Sequence, residues 1–151
     1  ALLRRLTKSG DIPSINALVD LGNLVSIRYA LPIAIFDPRD TQGAITVRFA
    51  DGSERYTPLG QTELEHPEPG EVVFCDDTGL VVARRWCWRQ SEQSAARHDT
   101  TTALITIEAH HATARADVQA ALRDVLELLP AAAGGTCVSA VLDVEHPALL
   151  R

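Results

Sequence analysis

Apolar residues recur at helical spacing in two stretches of the chain. In the first, Ile15, Leu18, Val19, Leu21, Val25 and Ile27 fall broadly on one face, after the turn signal Ser9-Gly10-Asp11 and the opening pair Pro13-Ser14. The spacing predicts a helix over 14–29 that ends at Leu31-Pro32. In the second, Val118, Leu122, Val125, Leu126 and Leu129 recur with charges between them, which predicts a helix over 113–129 stopped by Pro130 and Gly134-Gly135. Between the two helices the pattern turns β-prone. Residues 44–50 and 53–57 flank Asp51-Gly52 and read as one hairpin; 71–75 and 80–84 flank Asp76-Asp77-Thr78-Gly79 and read as a second. The run 103–109 reads as a buried strand with Glu108 near its end, and 137–142 as a final strand. Residues 60–70, rich in Glu and Pro, and the polar stretch 90–102 read as loops.

Hairpin strands flanked by two helices predict an α+β class, a layered β/β/α arrangement with two main helices packed on antiparallel or mixed sheets. With 151 residues, 46% of them hydrophobic, one domain over 1–151 is expected. The apolar and basic opening Ala1-Leu2-Leu3-Arg4-Arg5 reads as the end of a helix, so an N-terminal portion is expected to be missing. No apolar run approaches the ~20 residues that cross a bilayer, and no signal-peptide pattern is present; a cytoplasmic protein without membrane contact is expected. Three cysteines, Cys75, Cys87 and Cys137, lack any C-x-x-C spacing and read as buried thiols rather than as a disulfide framework or zinc site.

A formal charge of −6 argues against coating DNA or RNA through bulk electrostatics, but leaves room for local contact. All cationic side chains but Lys8 are arginine, and Arg84-Arg85-Trp86-Cys87-Trp88-Arg89 sets three of them beside both tryptophans. Arginine suits phosphate contact and stacking. If the run is extended, Trp86 and Trp88 share a face, with Arg85 and Arg89 on the other face or on phosphate. Packing of both indoles in the core is the alternative. On the first helix Asn16, Asp20, Asn23 and Ser26, three or four apart, form a polar stripe that either is merely solvated or lines a site. Nucleotide-binding loops, nucleophile elbows and paired metal-ligand histidines are absent, so no cofactor or metal is expected; His66, His98, His110, His111 and His146 read as surface residues.

The order of several segments is more informative than any one of them. Pro13-Ser14-Ile15-Asn16, then Leu18 through Ser26, then Leu31-Pro32 and Asp37, then Gly70-Glu71-Val72-Val73, and finally Arg84 through Ser91 resembles stand-alone proteins built on the third and fourth domains of the phenylalanyl-tRNA synthetase β subunit. The resemblance covers almost the whole chain. It implies a tRNA-binding, editing module that hydrolyses the ester of a misacylated tRNA, with the aminoacylated 3′ end as ligand and a cognate synthetase as a further partner. It places Asn23 on the family's pocket asparagine and Glu108 on its strand-borne glutamate. Two positions depart: the pocket histidine is Ala34, and the glycine-rich stretch is replaced by 83–88 with its two tryptophans. The departures bear on which amino acid is removed.

Such an ester is already activated, so holding a water and stabilising the oxyanion suffice, and no activated nucleophile is needed. Glu108 and Asn23 are the candidate catalytic residues. Glu108 is expected chiefly to recognise a polar group of the substrate, and secondarily to orient or deprotonate water; a strand-end surface charge is its plain alternative. Asn16, Asp20, Ser26, Arg85, Trp86, Trp88, Arg89 and Gln90 are the candidate substrate-binding residues, with Ser91 at the rim. Two other readings stay open, a binding module that has lost catalysis and a scaffold piece of a larger protein.

Overall fold

The computed structural model describes residues 2–150, arranged as α1 (Leu2–Ser9), α2 (Ala17–Tyr29), β1 (Ile33–Phe36), β2 (Thr46–Phe49), β3 (Val72–Cys75), β4 (Val81–Arg84), β5 (Arg89–Gln90), β6 (Leu104–Ile107) and α3 (Ala114–Ala132). Strands β1 and β6 form a two-stranded sheet, and a second sheet has the order β2-β3-β4-β5 with every neighbour antiparallel. The class is α+β, as the patterning predicts. Contacts divide the chain into two units: one runs through Ile33 and resumes at Thr106, the other is Ala34–Ile105. The boundary falls inside β1 and inside β6.

The first unit is helical. Leu21, Gly22 and Val25 of α2 and Ala121 and Val125 of α3 are its buried positions, and Arg28 closes onto Asp124 at 2.5 Å. Helix α2 begins three residues later than the spacing predicts. The extended backbone of Asn16 and its Oδ1, which accepts from the Val19 N–H at 3.0 Å, make it the N-cap. Asp20 in turn accepts from the Ser14 hydroxyl and the Ile15 N–H, holding 14–15 outside the helix. Helix α3 runs through Pro130 to Ala132 and closes with the N–H groups of Ala133 and Gly134 on the Leu129 carbonyl, Gly134 taking the left-handed conformation. Proline in a last turn forfeits one hydrogen bond without ending the helix at once.

The second unit holds two apolar clusters on opposite faces of its sheet: Ala34, Phe36, Phe74, Val82 and Ala83, joined by Ile45, Cys87 and Leu104, and Ala50, Tyr56, Val73, Cys75 and Val81. The hairpin expected at 71–84 is present as β3 and β4. The one expected across Asp51-Gly52 is not: β2 pairs with β3 instead, from Thr46↔Cys75 to Phe49↔Val72. The cause is Glu54. Its buried carboxylate accepts from the N–H groups of Asp51 and Gly52 and from Arg48, taking the place of a return strand, and residues 55–56 make only isolated bridges to Leu80 and Glu65. The strand expected at 137–142 is also absent; Val138 and Leu142 stand exposed, and β-propensity without a partner edge makes no strand. All five histidines are exposed, but of the cysteines only Cys75 is buried, Cys87 being half-buried and Cys137 exposed. Among the described residues no helix is long and apolar enough to cross a membrane.

Candidate functional site

Five of the ten candidate residues lie in the helical unit. The polar stripe on α2 proves to have a division of labour. Asn16 is buried as the cap. Asp20 is engaged by Ser14 and Ile15, and the Ser14 hydroxyl beside it holds its carboxyl below the usual range. Ser26 donates from Oγ to the Leu31 carbonyl at 2.6 Å, tying the connection after α2 back onto the helix. Asn23, half-buried one turn before Ser26, makes no hydrogen bond with its side chain among the described residues. Of the four, it alone keeps its donors and acceptor open to a ligand.

Glu108 follows directly on β6. Its backbone N–H donates to the Pro32 carbonyl at 3.1 Å, so it sits beside the connection that Ser26 anchors. Two hydrogen bonds, Ser26 to Leu31 and Glu108 to Pro32, thus link the Asn23 region of α2 to the end of β6, although 85 positions separate the two residues in sequence. The Glu108 side chain is half-buried, with Oε1 shut off from solvent. It is not a surface charge at a strand end.

The other five candidates lie in the sheet unit, around the tight turn between β4 and β5. Residues 85–88 are not extended as supposed, because Arg85 (φ 52°) and Trp86 (φ 60°) both take the left-handed conformation. For side chains this large the conformation costs about 1–2 kcal/mol each. The Trp86 N–H donates to the Val72 carbonyl at 3.1 Å, and that of Trp88 to the Arg85 carbonyl at 3.3 Å. The indoles are not core residues: Trp86 is 44% and Trp88 76% exposed. Arg89 is exposed, and Arg85 approaches Glu71 only to 3.9 Å. Gln90 is committed elsewhere, its amide donating to the carbonyls of Ile35 and Ser94 at 2.7 Å, and Ser91 is fully buried rather than at a rim.

Two residues escaped sequence reasoning. Arg84, buried in β4, clasps Glu71 through two contacts of 2.7 Å, reaches Glu65 at 3.1 Å and lies over the Tyr56 ring at 5.2 Å, so the base of the turn is electrostatically fixed. Phe49, 72% exposed at the end of edge strand β2, pairs with Val72, the residue whose carbonyl holds Trp86. Only strand order reveals an edge, so no local signal marks Phe49.

The B3/4 domain family matches residues 1–127. The chain belongs to the B3/4 domain family. Over 80 residues, 53% of this chain, it is 36% identical to the phenylalanine–tRNA ligase beta subunit of Streptomyces avermitilis, of which that stretch covers 9%. Over 79 residues it is 34% identical to the corresponding subunit of Shewanella oneidensis, covering 52% of this chain and 10% of that protein. The chain therefore spans about a tenth of the length of these curated relatives. In fold it is similar to an N-terminal fragment of the phenylalanyl-tRNA synthetase β subunit from Pyrococcus horikoshii, with a TM-score of 0.60 at 17% identity over 76% of this chain and 39% of that one. The resemblance drawn from segment order is borne out: this is a B3/4 domain like that of the synthetase β subunit. Ala34, which the resemblance sets at the family's pocket histidine, is buried in β1 within the apolar cluster of the sheet unit.

Proposed function

We propose that this B3/4 domain is an aminoacyl-tRNA deacylase, acting in trans in the cytoplasm on the 3′-terminal ester of a mischarged tRNA. One observation carries the reading: in a B3/4 chain, the α2 stripe leaves one uncommitted amide, Asn23, and the connection that Ser26 ties to α2 also accepts the backbone N–H of Glu108, whose side chain is half-buried. The Asn23 amide donates to the carbonyl oxygen as negative charge develops on it. Glu108 binds the substrate ammonium or a polar side chain and aligns the attacking water. Water oxygen bonds to the carbonyl carbon, the bond to the ribose oxygen breaks, and the proton lost by water ends on that ribose oxygen, releasing free amino acid and tRNA. The chemistry uses no metal or cofactor. Asn16, Asp20 and Ser26 shape the site rather than touch substrate, and Arg85, Trp86, Trp88, Arg89 and Gln90 are assigned to the RNA side.

The test is deacylation of a panel of mischarged tRNAs by the purified chain. At least one ester is hydrolysed above its spontaneous rate. Asn23→Ala lowers kcat/KM on that ester about 100-fold, as loss of one oxyanion donor does, with the helical circular dichroism signal unchanged. Glu108→Gln, which keeps shape but not charge, raises KM more than it lowers kcat if recognition dominates.

The buried Ala34, where the family places a histidine, favours a second reading, a module that binds the tRNA end without turnover. Saturable binding of every mischarged tRNA with no hydrolysis of any would establish that reading and remove the first.

A further inference from the structure

The chain has two tryptophans, two tyrosines and three phenylalanines, and three of these rings, Phe49, Trp86 and Trp88, stand well exposed. All three gather at one end of the four-stranded sheet. Phe49 pairs with Val72, the Val72 carbonyl accepts the Trp86 N–H, and Trp88 closes the same turn through the Arg85 carbonyl. Folding by itself drives large rings inward, and the two left-handed residues at Arg85 and Trp86 add strain to a turn that then leaves its indoles in water. Strain at Arg85 and Trp86 and exposure of Trp86 and Trp88, within one turn, mark a surface kept for a ligand.

Charge narrows the ligand. Arg85 and Arg89 border the rings; Arg89 is in no ion pair among the described residues, and Glu71, the nearest acid to Arg85, is already clasped by Arg84. Two cations on a chain of net charge −6 can neutralise only a few phosphates, so affinity has to come from the rings. Exposed aromatic rings beside arginines stack on bases whose faces are open, and those of a duplex interior are not. We propose that Phe49, Trp86 and Trp88, with Arg85 and Arg89, form a stacking platform for the unpaired end of an RNA strand, tolerant of base sequence. The inference rests on the deacylase reading only for the RNA being a tRNA.

Trp86 and Trp88 are the only tryptophans, so their fluorescence reports the platform directly. The full chain is titrated with the single-stranded RNA trinucleotide CCA, with a trinucleotide of other sequence, and with a blunt RNA duplex. Saturable quenching by both single strands and none by the duplex is expected. Phe49→Leu, which keeps apolar bulk and leaves both indoles in place, weakens binding five-fold or more by shifting the midpoint; Trp88→Ala does so by a similar factor. Arg85→Gln together with Arg89→Gln reduces the slope of log affinity against log salt by about 1.4. Absence of quenching, equal quenching by duplex, or an unchanged midpoint in Phe49→Leu overturns the proposal. So does self-association in sedimentation that Trp88→Ala abolishes, which assigns the surface to a second copy of the chain. Turnover is read separately: quenching without deacylation keeps this inference and removes the enzyme, while deacylation without quenching does the reverse.

Discussion

Single side chains decide where the helices of this protein begin and end. Asn16 stops α2 from extending back to Ser14 because its amide oxygen satisfies the Val19 N–H, which no preceding carbonyl reaches. At the other end Ala30, at φ 54°, occupies the left-handed position that glycine takes at lower cost. Ala30→Gly is accordingly expected to raise the unfolding free energy by on the order of 1 kcal/mol, read as a higher urea midpoint with unchanged slope. An unchanged or lower midpoint would show that the Cβ there makes a compensating contact. The same accounting isolates Asn23. Its neighbours on the stripe look equally suited to a ligand in the sequence, and only their hydrogen bonds, to Val19, Ser14, Ile15 and Leu31, take them out of contention.

Among the elements, β4 and the turn it feeds depend on a charge pair enclosed by the sheet. The Arg84 guanidinium is almost wholly buried, and Glu71 is its principal counter-ion, with Glu65 a more exposed second. Deleting Glu71 leaves a buried cation with one solvated partner, Glu65, a change that costs about 3 kcal/mol in comparable settings. Glu65→Ala removes only the exposed contact and is expected to cost under about 1 kcal/mol. Equilibrium unfolding of the two variants measures the contrast; equal losses would mean that the two carboxylates share the charge. Because Arg85 and Trp86 follow directly on Arg84, Glu71→Ala is also expected to alter the tryptophan emission of the folded protein.

For the molecule as a whole, carboxylates set the acid limit. In the sheet unit Asp37, Glu54 and Asp76 are pushed up by burial, but hydrogen bonds outweigh it: from Arg39 and Thr100, from Asp51, Gly52 and Arg48, and from Gln42, Thr78 and Leu80 respectively. Glu71 is held down chiefly by Arg84. All four therefore ionise more readily in the folded than in the unfolded chain. Each stabilises the fold fully above the ordinary carboxylate range, and the contribution is lost as pH falls through its depressed folded value. Thermal midpoints are expected to be flat from pH 7 to about 5 and to fall steadily below about pH 4, with amides of β3 and β4 losing exchange protection. A midpoint constant down to pH 3 would contradict this assignment. The depressed carboxylates of the helical unit, Asp20, Asp117, Asp124 and Asp143, lie near the surface, where salt screens them.

Periodicity and turn residues were enough to predict the α+β class, two of the helices and the β3–β4 hairpin, because amphipathic spacing and turn residues act locally and leave their mark in the residues themselves; segment order supplied the resemblance that the B3/4 family match bears out. The resemblance put Asn23 and Glu108 forward as candidates. Tertiary structure decided the rest. Glu54 replaced a hairpin strand, Phe49 came to an open edge, and two left-handed residues turned the tryptophans outward instead of along a strand. Each outcome depends on which backbone groups find partners far away in the chain, and that competition is settled only when the folded elements meet.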